Sequence, residues 1–269
     1  GHGNDMQLNI VNLNVEGDKT PGRFVNIDTT TSSGIQRAAQ LGFANSNLAD
    51  VVITPFIYEA NDLLKDNPSL MGRFFAAFRH PIERASIAYE AAKASDPEVA
   101  GMTLEEYAGS PKVENNYLTR RLSRQLSGDL DEEHVKLALE VIRRKFLVGL
   151  GGNPTATIFR FERFFTWIYR VNPMQQEKCR QEIFESAAAN VLVEQGNTPA
   201  EGTPAYDLLA FQNQFDLQLF GYIESLWKEQ EQFVEGIDED IRTTEGTCCE
   251  CDPPTLPPEG FLCPVTSTQ

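Results

Sequence analysis

The sequence predicts an α/β protein in which a parallel sheet is flanked by helices and followed by a helix-rich C-terminal half. Two observations carry this. Short apolar runs without polar alternation, residues 24–27 (FVNI), 50–54 (DVVIT) and 73–78 (RFFAAF), read as strands covered on both faces. Segments of helical periodicity alternate with them, which is the order of a parallel sheet. The 269 residues, 41% of them apolar, suffice for one large core.

In chain order, residues 7–15 read as a marginal strand and 24–27 as a short one. The latter runs into Asp28-Thr29-Thr30-Thr31-Ser32-Ser33, whose serines suit the N-cap of a helix over 34–41 with Ile35, Ala38, Ala39 and Leu41 on its apolar side. Strands at 50–54 and 73–78 follow. After Pro81 the pattern turns helical, over 82–94, 104–108 and 131–144. The last of these has Asp131, Glu132 and Glu133 in its first turn and Arg143 and Arg144 in its last, matching the helix dipole at both ends. Residues 146–150 (FLVGL) read as a strand closed by the Gly151-Gly152 turn. Helices are expected over 159–169, 175–192 and, as one long amphipathic element, 203–234. The aromatic cluster of Phe159, Phe161, Phe164, Phe165, Trp167 and Tyr169 marks a helix buried on several sides.

A formal net charge of −16 excludes a general nucleic-acid or membrane-surface binder, because either needs a basic face; any bound phosphate sits in a local pocket. No stretch approaches the roughly 20 apolar residues of a membrane span, so no transmembrane segment is expected. Gly1-His2-Gly3-Asn4-Asp5 lacks a signal-peptide pattern. Residues 1–242 form the expected main domain and 243–269 a separate tail rich in cysteine and proline. Cys248, Cys249, Cys251 and Cys263 lie there without apolar periodicity, so disulfides or a partner must order it. Their spacing does not repeat the paired Cys-x-x-Cys of zinc modules and no histidine is near, so no metal is expected.

The most informative stretch is 73–89. A buried strand delivers Arg79 to its carboxyl end, where ligands collect in open α/β sheets. Pro81 suits the first turn of the next helix, and Ser86 lies two turns along it. The guanidinium and the hydroxyl are placed to converge on one phosphate. The spacing also allows Arg79 to pair with Glu83, leaving Ser86 an ordinary helical serine.

Arg79-His80-Pro81-Ile82-Glu83-Arg84-Ala85-Ser86 resembles the R-D-P-x-x-R-x-x-S element of sulfotransferases. The resemblance implies that Arg79 and Ser86 bind the 3′-phosphate of 3′-phosphoadenosine 5′-phosphosulfate, the co-substrate. It extends in consistent order over residues 24–235 of the uronyl 2-O-sulfotransferase branch: 24–30 is similar to its H-I-N-T-T strand, 145–150 with 159–167 to its F-L-V-G strand and following helix, and 213–230 to its last helix. The implied fold is P-loop-NTPase-like, and the implied activity is sulfuryl transfer to a carbohydrate hydroxyl.

Two parts of that pattern are absent. No lysine-bearing loop of the K-T-G-T-T kind precedes residue 24. Lys19-Thr20-Pro21-Gly22 matches only in letters, and Asp28–Gly34 follows a strand and opens a helix but lacks the lysine. The family histidine before the arginine strand is also missing, which leaves Glu59 as the substitute base. Asn115–Arg121 resembles a D-N-W-M-x-R-F-L segment. Its Arg120 and Arg121 either meet a sulfated or carboxylated acceptor or pair with Glu114 and Asp129 on a helix face. The expectation is a sulfotransferase of the Golgi, another endomembrane lumen or the exterior. The alternative is a catalytically inactive chain of the same fold, docked on protein partners as a structural subunit.

Overall fold

Residues 7–13, 22–49, 51–64, 74–165, 182 and 197–234 are described in the computed structural model of the chain, and they fall into two units divided between Leu64 and Phe74. The chain is mixed α/β and mostly helical, with a small two-strand parallel sheet packed against helices.

In the first unit, β1 (Ile10–Leu13) pairs antiparallel with β2 (Gly22–Val25), Ile10 opposite Val25 and Leu13 opposite Gly22. Asn26 closes the open end of this ladder: its Oδ1 accepts from the Asn9 amide at 2.9 Å and its Nδ2 donates to the Gln7 carbonyl at 3.0 Å. Helix α1 (Ser32–Gln40) begins at Thr31, whose hydroxyl accepts from the Gly34 amide. Position 34 requires glycine, since a Cβ there would lie 1.7 Å from the Asp28 carbonyl oxygen. Gly42, at φ 67°, ends the helix in the left-handed conformation. Helix α2 (Ile57–Leu64) packs on α1, with Ile35, Ala38, Phe43 and Ala60 buried.

In the second unit, β3 (Phe74–Phe78) and β4 (Phe146–Leu150) pair in parallel, Phe74 opposite Phe146 and Phe78 opposite Leu150. Each runs into a helix with proline at its start: α3 (Pro81–Ser95) after β3 and α7 (Pro154–Phe164) after β4. Both helices therefore start at the carboxyl edge of the sheet. Gly149 lets α7 lie close on β4, because a Cβ there would meet Thr157 Cγ2 at 2.3 Å and Phe161 Cζ at 2.8 Å. Thr157 Oγ1 accepts from the Leu150 amide and donates to the Leu150 carbonyl, tying helix to strand.

Helix α4 (Leu104–Ala108) starts with a Thr103/Glu106 capping box, and α5 (Tyr117–Ser123) lies between two left-handed residues, Asn116 at φ 47° and Arg124 at φ 64°. Helix α6 (Glu132–Lys145), capped by Asp131, runs directly into β4. Helices α8 (Pro204–Gln212) and α9 (Gln214–Glu229) and a 3₁₀ turn (Gln230–Phe233) complete the described chain. Ile82, Ala85 and Tyr89 of α3 form one core with Val99, Tyr107, Ala108, Val113 and Leu209. Leu219 and Ile223 of α9 are fully buried where that helix packs on α5, α6 and β4. Gln230 seals the outer edge of β4: its Oε1 accepts from the Val148 amide at 2.9 Å and its Nε2 donates to the Phe146 carbonyl at 2.8 Å. One buried carboxamide thus replaces a neighbouring strand.

The sequence expectations need four corrections. The helix expected over 159–169 starts five residues earlier, at Pro154, where Asn153 caps it, and ends at Phe164. Residues 24–27 do not enter the parallel sheet; the strand there pairs antiparallel with β1, and Phe24 is exposed on it. Residues 51–54 form no strand despite their Val-Val-Ile-Thr run, and Ile53 is 83% exposed. A β-prone run becomes a strand only where an edge pairs with it, and Pro55 ends this one at once. The helix expected over 203–234 is broken at Asn213, where the backbone leaves the helical conformation and the Phe215 and Asp216 amides donate to Asn116 Oδ1 rather than to the preceding turn. The helix expected over 175–192, Trp167, Tyr169 and the whole 243–269 tail with Cys248, Cys249, Cys251 and Cys263 lie outside the described residues. Among the described residues no helix is long and apolar enough to cross a membrane.

Candidate functional site

The carboxyl edge of β3 and β4 gathers the first candidates. Arg79 follows β3 directly, half-buried beside the Gly151 turn that follows β4. Gly151 N donates to Phe78 O at 2.7 Å, and a Cβ on Gly151 would lie 3.4 Å from Arg79 Cβ. Parallel pairing thus brings the 79 and 151 segments together, which local sequence spacing does not reveal. His80 caps α3, its Nδ1 accepting from the Ile82 amide at 3.3 Å, and packs edge-on against Phe220 at 5.2 Å. The Glu83 amide, one residue further on, has no hydrogen-bond partner among the described residues. Nor does the Glu83 carboxylate form an ion pair among them, so the Arg79–Glu83 pair that the spacing allows is not made.

Ser86 is on the same helix but faces inward. It is 1% exposed, and its hydroxyl donates to the Ile82 carbonyl at 2.9 Å. Its hydroxyl can donate elsewhere only by giving up that bond.

In the first unit, Asp28 Oδ1 accepts from the Thr30 amide at 2.9 Å and the Thr30 hydroxyl at 2.5 Å. Within the loop over 28–34, both Thr30 donors thus go to the loop's own carboxylate and the Gly34 amide to the Thr31 cap. Glu59 accepts from Ser32 Oγ at 2.9 Å, which makes it a tie between α2 and the start of α1. Lys19, Thr20 and Pro21 lie outside the described residues.

The residues over 113–127 surround a cavity of about 400 Å³, lined by Val113, Glu114, Tyr117, Arg120, Arg121 and Leu126, with Asn115 and Ser127. Arg120 is held by neutral oxygens: Nε donates to Asn115 Oδ1 at 2.9 Å and Asn115 O at 3.2 Å, and Nη1 to Gly128 O at 3.0 Å and Gln125 O at 3.2 Å. Glu114 pairs instead with Arg84 at 2.7 Å, and the Arg84 guanidinium lies 3.5 Å from the centre of the Tyr117 ring. Arg121 stands 5.3 Å from the same ring centre and forms no ion pair among the described residues. The pairing of Arg120 and Arg121 with Glu114 and Asp129 is therefore not formed.

Helix α5 is anchored by a reciprocal cap. Asp216, in the first turn of α9 and 1% exposed, accepts from the Leu118 amide at 2.9 Å, the Thr119 amide at 2.8 Å and the Thr119 hydroxyl at 2.7 Å. In return Asn116 Oδ1 accepts from the Phe215 and Asp216 amides, while Asn213 Oδ1 accepts from the Asn116 amide. Burial pushes the Asp216 carboxyl above its ordinary range, and the bonds from Thr119 and Leu118 and the charge of Arg84 pull it back only in part. Sequence reading missed all three residues, because an Asn and an Asp inside an amphipathic stretch look solvated. The available signal was Asn213 with Asp216 three residues on, a helix-start pattern.

Among the described residues no group of His, Cys, Asp and Glu side chains is arranged to hold a metal ion. No family model, no curated protein and no solved structure matches the chain.

Proposed function

We propose that the carboxyl edge of β3 and β4 binds the 3′-phosphate of 3′-phosphoadenosine 5′-phosphosulfate, in a P-loop-NTPase-like sulfotransferase domain that transfers the sulfuryl group to a carbohydrate hydroxyl. The observation that carries this reading is Arg79 at the end of a strand in a parallel pair, against the Gly151 turn and just before α3, in whose first turn the Glu83 amide has no partner among the described residues. A guanidinium clamp with one backbone donor suits a phosphate in a chain of net charge −16, where only a local site can hold an anion. Ser86 adds a contact when its hydroxyl turns from Ile82 O.

A specific observation favours a second reading, a sulfotransferase-fold protein without catalysis that serves as a binding subunit. Asp28 occupies the Thr30 donors of the loop over 28–34, which follows β2 and opens α1, and Glu59 is engaged by Ser32. Neither residue supplies the positive charge that sulfuryl transfer needs at the bridging oxygen.

Calorimetric titration with 3′-phosphoadenosine 5′-phosphate tests the site itself. Binding by the wild type that is lost in Arg79→Ala supports it; no binding by either protein rejects it. Transfer of radiolabelled sulfate from the donor to a panel of polysaccharides then separates the two readings.

A further inference from the structure

The cavity beside α5 belongs to neither the strand edge nor the loop over 28–34, and its charge balance is unusual for this chain. Glu114, the carboxylate that lines it, is paired with Arg84. Arg120 and Arg121 have no carboxylate partner among the described residues, although acids outnumber bases 39 to 23 in the sequence. Arg120 is also immobilised in advance. Its Nε and Nη1 hydrogens are committed to the neutral oxygens of Asn115, Gln125 and Gly128, which leaves Nη2 without a partner among the described residues. A guanidinium fixed along one edge, with its charge intact, loses little side-chain entropy when an oxyanion meets the other edge. Helix α5 holds Tyr117, Arg120 and Arg121 as one rigid set, since Asp216 and Asn116 lock its start and Arg124 closes its end. Val113 and Leu126 give the cavity an apolar wall, and about 400 Å³ leaves room for a small organic body behind an anionic head.

We propose that this cavity is a second anion site, which takes the carboxylate or sulfate group of a small organic ligand between Arg120 and Arg121. The site stands on residues 113–128 and does not depend on nucleotide binding at Arg79.

The test is an NMR titration of the whole chain with sodium sulfate and, separately, sodium acetate, each against sodium chloride of equal ionic strength. Arginine Nε–H signals and backbone amides of residues 113–128 are followed. Saturable shifts of the Arg120 and Arg121 signals are expected with sulfate or acetate and not with chloride. A stronger response to one of the two identifies the head group. Arg121→Ala, which removes no hydrogen bond or ion pair among the described residues, is expected to weaken the interaction about tenfold with the fold retained. Arg79→Ala, which removes the strand-edge site, is expected to leave it unchanged. Shifts that do not saturate, shifts equal to those in chloride, or full affinity in Arg121→Ala would overturn the proposal.

Discussion

Asp216→Ala is the perturbation whose consequences the structure defines most fully. It removes one buried carboxylate and leaves the Leu118 amide, the Thr119 amide and the Thr119 hydroxyl without an acceptor. An orphaned buried donor costs about 1–3 kcal/mol, and the hydroxyl can turn elsewhere, so the two amides set a loss of about 2–6 kcal/mol. That is a large share of the roughly 5–15 kcal/mol typical of a whole domain. Asp216→Asn is the gentler variant. Its single oxygen, placed as Oδ1, keeps both Thr119 bonds and presents an NH₂ to the Leu118 amide, for a loss of about 1–3 kcal/mol. Urea unfolding followed by circular dichroism measures both. The alanine variant should lose clearly more stability than the asparagine variant, and Asn116→Ala should be non-additive with either because the two side chains cap each other's helices. A loss below about 1 kcal/mol in Asp216→Ala would refute the claim that this carboxylate holds α5 in place.

Other expectations follow from the same contacts. Because burial raises the folded pKa of Asp216 above its unfolded value, the folded state holds this proton more firmly. Its contribution to stability is therefore full below about pH 4 and is lost as pH rises through the raised value. The stability difference between wild type and Asp216→Asn should accordingly shift toward wild type on acidification, and an opposite slope between pH 7 and pH 4 would show the carboxyl to be depressed instead. Gly149→Ala should cost about 1–3 kcal/mol by driving a methyl into Thr157 Cγ2 and Phe161, and Thr157→Ser in that background should restore part of it. Gln230→Ala should leave Val148 N–H and Phe146 C=O unpaired, lowering stability by about 2–5 kcal/mol and speeding hydrogen exchange at Val148; unchanged exchange there would contradict the sealed-edge role.

Local signals in the sequence marked five elements of the second unit closely, while α7 was expected five residues too late and α5 was not expected. The 104–108 helix and the 146–150 strand coincide with α4 and β4, and α3, α6 and β3 fall within two residues of expectation. Their boundaries rest on proline, capping acids and apolar runs, all of which act within a few residues. What could not be read locally was pairing. The partner of residues 22–25 is the strand over 10–13, paired antiparallel, and the run at 51–54 has the composition of a strand without an edge to join. The break at Asn213 depends on Asn116, which lies 97 residues away along the chain. The candidate site divides in the same way. Arg79 was legible because a strand ending in arginine before proline is a local pattern, whereas its approach to Gly151 comes from parallel pairing alone. Ser86 was placed on the correct helix, but the sequence did not say which face of that helix is buried, because α3 is covered by neighbours on more than one side. Arg120 illustrates the remaining limit: its four oxygen partners come from three residues on two loops that the sequence marks only as polar.

The central claim, that Arg79 at the sheet edge recognises a 3′-phosphate, is tested most directly by comparing two nucleotides on two proteins. Calorimetry of 3′-phosphoadenosine 5′-phosphate and adenosine 5′-phosphate, each with wild type and Arg79→Ala, isolates the contribution of the 3′-phosphate. A charge-assisted contact of about 1.5–3 kcal/mol predicts that wild type prefers the 3′-phosphorylated nucleotide by roughly tenfold or more, and that Arg79→Ala loses that preference. Equal binding of the two nucleotides to wild type, or a preference that survives in Arg79→Ala, would contradict it.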